Sequence, residues 1–304
     1  NILKKTIDEN LFYLNNLISK ADCLKQFLNK IRVSLAAINL LRGLDGCIAE
    51  ILKKTSTPTV SVSHGTVAEY FNQADKIYKR NIMESVFGGD CKYTVISSKI
   101  SFAAYKKFKI KSKPLKGNII FSGLKKTKKN AKKILFAVTL KDFENFQLHG
   151  VETHYEFTNN LSILSELAKK KGLQFIVNLH PSQHSQIGKL KKIYPQLHFT
   201  NSRIEKVLKE SFVTISFSSS VIEDSITSNI PVILFDANKR YKHCKSVSKF
   251  NKFNDGIFYI NDKQKLYECL KFLKNNKNMI NIQNNNYNTD YKLNIQKNLF
   301  KLMN

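Results

Sequence analysis

Two short apolar runs, each followed at once by polar residues, restrict the possible folds of this chain more than any other feature. Residues 175–179 and 212–217 are rich in β-branched and aromatic side chains. Continuous runs of this kind are typical of strands buried on both faces of a parallel sheet. His180 and Pro181 follow the first run, and serines 218–220 follow the second. Since ligands bind beyond the carboxyl ends of parallel strands, both clusters are expected where a ligand would lie.

The serine cluster, Ser218, Ser219 and Ser220, has the chemistry to hold a phosphate. A helical pattern begins at Ser220, and the first N–H groups of a helix lack partners and carry partial positive charge. The three hydroxyls add hydrogen-bond donors. The alternative is that Ser220 is only the N-cap of that helix and that Glu223 completes a capping box. We predict that Glu223 belongs with the serine cluster to the nucleotide-binding group.

His180 is the second candidate ligand in this region. A single histidine is more often structural than functional, but this one lies at the end of a predicted strand. Pro181 forces the chain to turn out of the sheet directly after it. The position therefore favours ligand binding by His180.

Composition limits the class of protein. A chain of 304 residues with 42% hydrophobic residues is long enough for about two domains with cores of their own. The five cysteines are widely spaced and include no C-x-x-C pair, which predicts reduced thiols and a cytoplasmic protein. No apolar run approaches the roughly 18 residues of a membrane span, and no signal-peptide pattern is present. Because the first residue is Asn and not Met, we predict a fragment of a longer polypeptide.

The net charge of +27 suggests an anionic partner. Only five of the 50 basic residues are arginine, although direct readout of nucleic acid favours the arginine fork, so we predict no nucleic-acid partner. What remains is a general attraction to anionic surfaces, including acidic lipid headgroups.

Strands and helices alternate along the chain, which predicts parallel α/β architecture in two domains. Strands are predicted at residues 33–38, 59–63, 93–98, 118–122, 134–138, 175–179, 212–217, 231–235 and 257–260. Residues 1–123 would form an acceptor-side domain with about four strands, which is incomplete for a doubly wound domain. Residues 124–304 would form the domain that binds the nucleotide donor. The lysine-rich segment 125–133 is predicted to be a solvated linker and not a nuclear-localisation or RNA-binding patch.

Two helices at the ends of the chain have predicted packing roles. Residues 6–31 form an amphipathic pattern whose apolar stripe is expected to have a structural packing role. Residues 291–302 are expected to form a final helix that crosses back to the first domain. The stripe of the first helix consists of Leu11, Leu14, Leu17, Ile18, Leu24, Phe27, Leu28 and Ile31.

A third motif, His64-Gly65-Thr66, follows the predicted strand at 59–63. It again lies at a carboxyl strand end, and its glycine allows the backbone to approach a ligand closely. The alternative for His64 is a turn histidine that bonds only to nearby backbone.

Two α/β halves whose strand-end motifs face a common cleft describe a nucleotide-sugar transferase of the GT-B type. His180-Pro181 and the serine cluster resemble the HP and S motifs of bacterial polysialyltransferases and related capsule polymerases. His64-Gly65-Thr66 resembles the HGT element of the CDP-glycerol glycerophosphotransferases, although Ser63 and Val67 replace the aromatic residue and proline that flank it there. The acidic-acidic-Gly motif of the polysialyltransferases is half matched by Leu44-Asp45-Gly46.

The resemblance implies inverting transfer of a sugar or polyol phosphate from a CMP- or CDP-linked donor to a bacterial surface polysaccharide. His64 would be the catalytic base, with Asp45 as the second candidate. His180, Pro181, the serine cluster and Glu223 would bind the donor. The resemblance implies no metal and no cofactor besides the nucleotide-activated donor substrate. The acceptor would be a glycan or lipid-linked glycan, at the inner face of the bacterial inner membrane.

Two other classes remain open. A non-hydrolysing nucleotide-sugar epimerase would use the same fold and would need carboxylates in the cleft, where the sequence offers only Glu223, Asp224 and Asp236. A basic protein that binds an anionic polymer without catalysis would show steep salt dependence and no nucleotide preference.

Overall fold

The computed structural model describes most of the chain and all of the strands on which the site depends. The described residues are 2–62, 65, 67–87, 89–117, 131–140, 149–250, 256–276, 282, 299 and 301–303.

The first part of the chain forms a four-stranded sheet in which every neighbouring pair is parallel, in the order β1-β2-β3-β4. Its strands are β1 (Ala36–Ile38), β2 (Thr59–Ser61), β3 (Tyr93–Ile96) and β4 (Lys113–Lys116). Its helices are α1 (Ile2–Leu28), α2 (Gly43–Lys53), α3 (Gln73–Val86) and α4 (Lys99–Lys107). The strands are short, and the carboxyl ends of β1 and β2 lead directly into the site.

The second part forms a six-stranded parallel sheet in the order β10-β9-β8-β5-β6-β7. Its strands are β5 (Lys133–Ala137), β6 (Phe175–Asn178), β7 (His198–Thr200), β8 (Ser211–Ser216), β9 (Val232–Phe235) and β10 (Ile257–Ile260). Its helices are α5 (His154–Lys171), α6 (Ile187–Ile193), α7 (Ile204–Leu208), α8 (Val221–Thr227) and α9 (Lys263–Asn275), and a 3₁₀ turn spans Pro181–Gln186. Every residue of the central strand β8 is buried, which explains why its sequence contains no charged residue.

The strand order of the second sheet reverses between β5 and β8. From β5 the chain continues through β6 and β7 to one edge, and from β8 it continues through β9 and β10 to the other. Such a switch point opens a crevice beyond the carboxyl ends of the strands, which is where α/β proteins bind ligands.

The predicted fold class, α/β with two parallel-sheet domains, is confirmed. The predicted domain boundary at 123/124 falls outside the described residues and stays a prediction. The predicted strand at 118–122, most of the lysine-rich segment and most of the predicted final helix also fall outside them. Instead, the fourth described strand is Lys113–Lys116, and helix α3 lies where no helix was predicted.

The predicted packing of the first helix is wrong for much of its stripe. Helix α1 packs against α2, but the side chains of Leu11, Leu14, Ile18 and Phe27 remain exposed. Part of an apolar surface is therefore left without a partner in the described part of the chain. None of the helices that the structure describes is both long and apolar enough to cross a lipid bilayer.

Candidate functional site

A cavity of about 380 Å³ lies between the two sheets and is lined by residues of both. The second domain contributes His180 from the end of β6, the serine cluster from the end of β8, and Val138 and Thr139 from the end of β5. The first domain contributes Arg42 after β1 and Tyr78 and Lys79 from α3. The two clusters that the sequence places at strand ends thus come together at one cavity.

The local hydrogen bonds of His180 define which ring nitrogen carries a proton. His180 is the residue before the 3₁₀ turn, and its Nδ1 accepts from the backbone N–H of Ser182 at 3.3 Å and lies 2.8 Å from the Ser182 hydroxyl. In the neutral ring, an accepting Nδ1 leaves the proton on Nε2. His180 is therefore arranged as a hydrogen-bond donor through Nε2. Pro181 starts the turn and is not among the described residues that line the cavity.

The serine cluster is ordered differently from the predicted capping box. The Ser219 hydroxyl, not that of Ser220, accepts from the backbone N–H of Val221 at 3.2 Å. Ser220 makes no side-chain cap, and it lines the cavity as an exposed residue. Ser218 donates to the carbonyl oxygen of Gly150, which ties the cluster to the loop that follows β5. Helix α8, which follows the cluster, has only seven residues.

Glu223 does not take part in a capping box. Its side chain is buried, and its Oε1 accepts from the hydroxyl of Ser98 at 2.5 Å and that of Ser101 at 3.4 Å. Ser98 is the N-cap of α4, so this carboxylate joins the second domain to the first. Glu223 is not among the described lining residues.

Neither proposed base is observed at the cavity. Asp45 lies in the first turn of α2 and is not among the described lining residues, whereas Arg42 at the same helix start is. His64 and Thr66 lie outside the described residues, and Gly65 between them lines the cavity.

Lys79 is a cation buried at the wall of the cavity, with only 2% of its surface exposed. Its ammonium donates to Asp75 Oδ2 at 3.1 Å, to the Glu69 carbonyl at 3.0 Å and to the His243 carbonyl at 3.1 Å. Burial lowers the pKa of Lys79, while Asp75 raises it. An ammonium has three donors, and all three are used within the protein, so Lys79 is a structural cation.

Two histidines, His149 and His243, lie close to the ion pair of Asp75 and Lys79. His149 places Nε2 3.2 Å from Asp75 Oδ1, and His243 places Nδ1 3.3 Å from the Tyr241 hydroxyl. Burial and the nearby Lys79 lower the pKa of His243 to about 3, so it is neutral at physiological pH.

Arg240 holds the loop that forms one wall of the cavity. Its guanidinium donates to the carbonyls of His149 at 2.6 Å and Val151 at 2.7 Å, and pairs with Glu156 at 2.7 Å. Burial alone would raise the pKa of Glu156, but the bonds from Arg240 and Thr153 lower it. The loop is therefore fixed by a paired charge, which favours a preformed site.

The charge of the lining follows from these assignments. Arg42 is exposed and lines the cavity, and its side chain makes no ion pair or hydrogen bond with another described residue. None of the described lining residues is Asp or Glu. The described wall is thus cationic, which suits a ligand with negative charge.

Arg42, Tyr78 and Lys79 were not singled out from the sequence. Arg42 follows strand β1 by four residues, so the strand-end argument that identified His180 would also have found it. Tyr78 and Lys79 lie on α3, a helix without a clear apolar pattern, and no sequence signal places them at the cavity.

The chain matches none of the known protein families and none of the curated proteins with which it was compared. Its fold is similar to that of the UDP-GlcNAc 2-epimerase from Neisseria meningitidis, whose structure contains UDP-GlcNAc. The TM-score is 0.59 at 14% identity over 95% of this chain and 82% of that one. A putative UDP-N-acetylglucosamine 2-epimerase from Listeria monocytogenes gives a TM-score of 0.59 at 9% identity over 92% and 75%. The glycosyltransferase of kitacinnamycin gives a TM-score of 0.52 at 10% identity over 98% of this chain and 83% of that one. The fold is therefore of the GT-B type.

Proposed function

We propose that this chain is a metal-independent glycosyltransferase that moves a sugar or polyol phosphate from a nucleotide-activated donor to a bacterial surface polysaccharide, with inversion. The observation that carries the proposal is the cavity at which His180 and the serine cluster meet Arg42, with no carboxylate among its described lining residues. Such a wall is suited to hold a donor phosphate and to stabilise the charge that develops as it leaves.

His180 and the serine cluster are proposed as the donor-phosphate ligands. His180 lies at the end of β6, and Ser219 and Ser220 lie at the end of β8, with only β5 between these strands. The Nε2–H of His180 and the two hydroxyls are therefore positioned before the ligand arrives. Removal of one preorganised donor typically lowers kcat by about 10²–10³-fold. Pro181 and Glu223 would support this group, Pro181 through the turn and Glu223 through its bond to Ser98.

His64 is proposed as the catalytic base and Asp45 as the alternative, following the resemblance to polysialyltransferases and CDP-glycerol glycerophosphotransferases. From the same resemblance we propose a CMP- or CDP-linked donor and a glycan or lipid-linked glycan acceptor. Gly65, beside His64, lines the cavity on the first-domain side. A base at that position would meet the acceptor hydroxyl across the cleft from the donor phosphates.

A non-hydrolysing nucleotide-sugar epimerase is the second candidate, because proteins of that activity are among the structural neighbours. That reaction needs a base to remove a proton from the sugar ring, and carboxylates are the expected groups. The described cavity wall instead offers Arg42 and His180. We propose transfer first because the strand-end motifs resemble those of transferases; the described lining residues hold no carboxylate base for either reaction.

Thermal unfolding in the presence of CMP, CDP, UDP and GDP tests the proposed donor site. We expect a cytidine nucleotide to raise Tm most, because a ligand that binds only the folded state at 100 times its Kd stabilises it by about 2.7 kcal/mol. His180→Ala should lose most of this shift. His198→Ala, which removes an exposed histidine of β7 away from the cavity, should keep it.

Three outcomes would contradict the proposal. No nucleotide at millimolar concentration raises Tm, His180→Ala keeps the full shift, or the protein converts UDP-GlcNAc to its 2-epimer without an acceptor. Comparison of His64→Ala with Asp45→Asn then assigns the base, since loss of a base lowers the rate of transfer while donor affinity stays nearly unchanged.

A further inference from the structure

Helix α1 carries an apolar stripe that nothing in the described part of the chain covers. Ile7, Leu11, Leu14 and Ile18 follow one another at spacings of four, three and four residues, so they lie on one face of the helix. They are 48%, 52%, 49% and 51% exposed. We call these four residues the α1 stripe; from Ile7 to Ile18, twelve residues of helix, it is about 16 Å long.

The α1 stripe is separate from the face by which the helix is attached. Leu17, Ala21, Leu24 and Leu28 are partly buried and lie on an adjacent face, and α1 packs against α2. Every residue from 4 to 16 is exposed. Helix α1 is thus attached to the first domain along this adjacent face, while no described residue covers the α1 stripe.

The ends and the back of the helix are polar. Lys4 and Lys25 continue the spacing of the α1 stripe beyond Ile7 and Ile18, so an exposed ammonium lies at each end of it. The opposite face carries polar side chains such as Lys5, Glu9 and Lys20. Lysines at the ends of an apolar face extend their charged groups toward lipid headgroups while their stems stay with the apolar surface.

The charge of the chain favours a lipid surface over a second copy as the partner of the α1 stripe. A second copy of the chain would bring another +27 charge to the same place, and like net charges repel. An anionic lipid surface is attracted by the same charge. We propose that α1 is the membrane-binding element of this protein and lies in the headgroup region of an anionic bilayer with the α1 stripe turned toward the acyl chains.

The position of α1 relative to the cavity connects membrane binding with the proposed reaction. The Tyr13 hydroxyl lies 3.4 Å from the place where a Cβ on Gly43 would be, and Gly43 follows Arg42, which lines the cavity. Helix α1 therefore runs beside the first-domain wall of the cleft. If the acceptor is lipid-linked, which rests on the proposed function, binding through α1 brings the cleft to the surface that holds the acceptor.

Sedimentation with lipid vesicles tests the proposal. The whole chain should sediment with vesicles of phosphatidylcholine mixed with phosphatidylglycerol and bind phosphatidylcholine alone much more weakly. Leu11→Glu combined with Leu14→Glu should weaken binding to the anionic vesicles by at least about tenfold, since it places charge on the face that enters the lipid. Ile193→Glu is the matched control: Ile193 is 65% exposed on α6, and its replacement should leave binding unchanged.

Several results would overturn it. One is that the unmutated chain stays in the supernatant with anionic vesicles. Another is that the double variant binds as well as the unmutated chain, which would assign binding to surface lysines alone. A dimer in size-exclusion chromatography with light scattering, lost in the double variant, would assign the α1 stripe to a second copy. The nucleotide-induced rise in Tm, measured on the same double variant, shows that it is folded and separates failure of this proposal from failure of the donor site.

Discussion

At the scale of the residue, the least expected feature is the buried pair of Asp75 and Lys79. Each side chain is 2% exposed, and their bond is 3.1 Å long. Burial of charges costs free energy unless each charge is paired and its hydrogen bonds are satisfied. Lys79 meets this condition with three acceptors, and Asp75 also accepts from the backbone N–H of Phe71. The pair therefore fixes the cavity wall.

Asp224 provides the first prediction, which concerns pH. Burial, together with the neighbouring charges of Glu223 and Glu205, raises the pKa of Asp224 from 3.8 to about 7. Between those pH values the folded chain holds a proton that the unfolded chain has released. The stability contributed by this group is thus fully present below pH 3.8 and is lost as pH rises through about 7.

Asp224→Asn should remove that dependence. One pKa unit corresponds to about 1.4 kcal/mol, and water around this partly buried group reduces the full effect, so we expect a gain of about 1–3 kcal/mol at about pH 8. Urea unfolding at a series of pH values measures it. Glu268→Gln, at an exposed position of α9, should leave the pH profile as it is. An Asp224→Asn profile parallel to that of the unmutated chain would disprove the prediction.

At the scale of the element, the parts of the candidate site that directly follow parallel strands could be predicted from the sequence. His180 and the serine cluster follow strands β6 and β8, and parallel strands bring their carboxyl ends to one edge, so their meeting follows from the apolar runs alone. Their detailed hydrogen bonds were not predictable in this way. Ser219 and not Ser220 caps Val221, because the chain enters α8 with Ser220 already in a helical conformation.

Helix α3 shows why other elements escape sequence reasoning. It buries Asp75 and Lys79 as well as Met83 and Val86, and it exposes 60% of Ile77, so its first turns lack the usual polar and apolar faces. A pattern based on apolar spacing cannot detect helical turns whose buried side chains form an ion pair. Strand β4, Lys113–Lys116, has one partly buried residue and a proline, and as an edge strand it needs neither an apolar run nor every N–H.

The capping box of α5 gives the second prediction, at the scale of the element. Thr153 accepts from the backbone N–H of Glu156 at 3.2 Å, and the Glu156 carboxylate accepts from the backbone N–H of Thr153 at 2.7 Å. Thr153→Ala should destabilise the fold by about 0.5–2 kcal/mol, the usual cost of losing an N-cap side chain. Chemical denaturation provides the measurement, and Thr153→Ser, which keeps the hydroxyl, is the control. Equal losses in the two variants would mean that the methyl group and not the cap is responsible.

At the scale of the whole molecule, the two domains are joined by polar contacts and by shared apolar packing. Lys79 reaches the His243 carbonyl, Asp75 reaches His149, and Ser98 reaches Glu223, each from one domain to the other. Ala68 and Ile100 of the first domain also belong to the principal apolar core of the second. The cleft is thus held in a defined, closed arrangement around the cavity.

Glu223→Ala tests how much of that arrangement depends on one carboxylate. Its loss leaves the buried hydroxyl of Ser98 without its interdomain acceptor, which should cost about 1–3 kcal/mol and widen the distribution of domain orientations. Small-angle X-ray scattering should report a larger radius of gyration than for the unmutated chain, and a bound nucleotide should reduce the difference. Glu223→Gln keeps a carbonyl acceptor for Ser98 and should remain compact. If both variants scatter like the unmutated chain, the domains are held by the apolar contacts alone.

The pairing of β5 with β8 in the middle of the second sheet also sets the order in which this protein can fold. Ile134 pairs with Val213, so the central strands come from positions almost eighty residues apart, with β6, β7 and three helices between them. Closing a loop of that length costs conformational entropy before any contact repays it, and sheets built on such distant pairs form slowly. On the ribosome, β5 must therefore wait for β8 to emerge, and until then one edge of β5 presents unpaired backbone N–H and C=O groups.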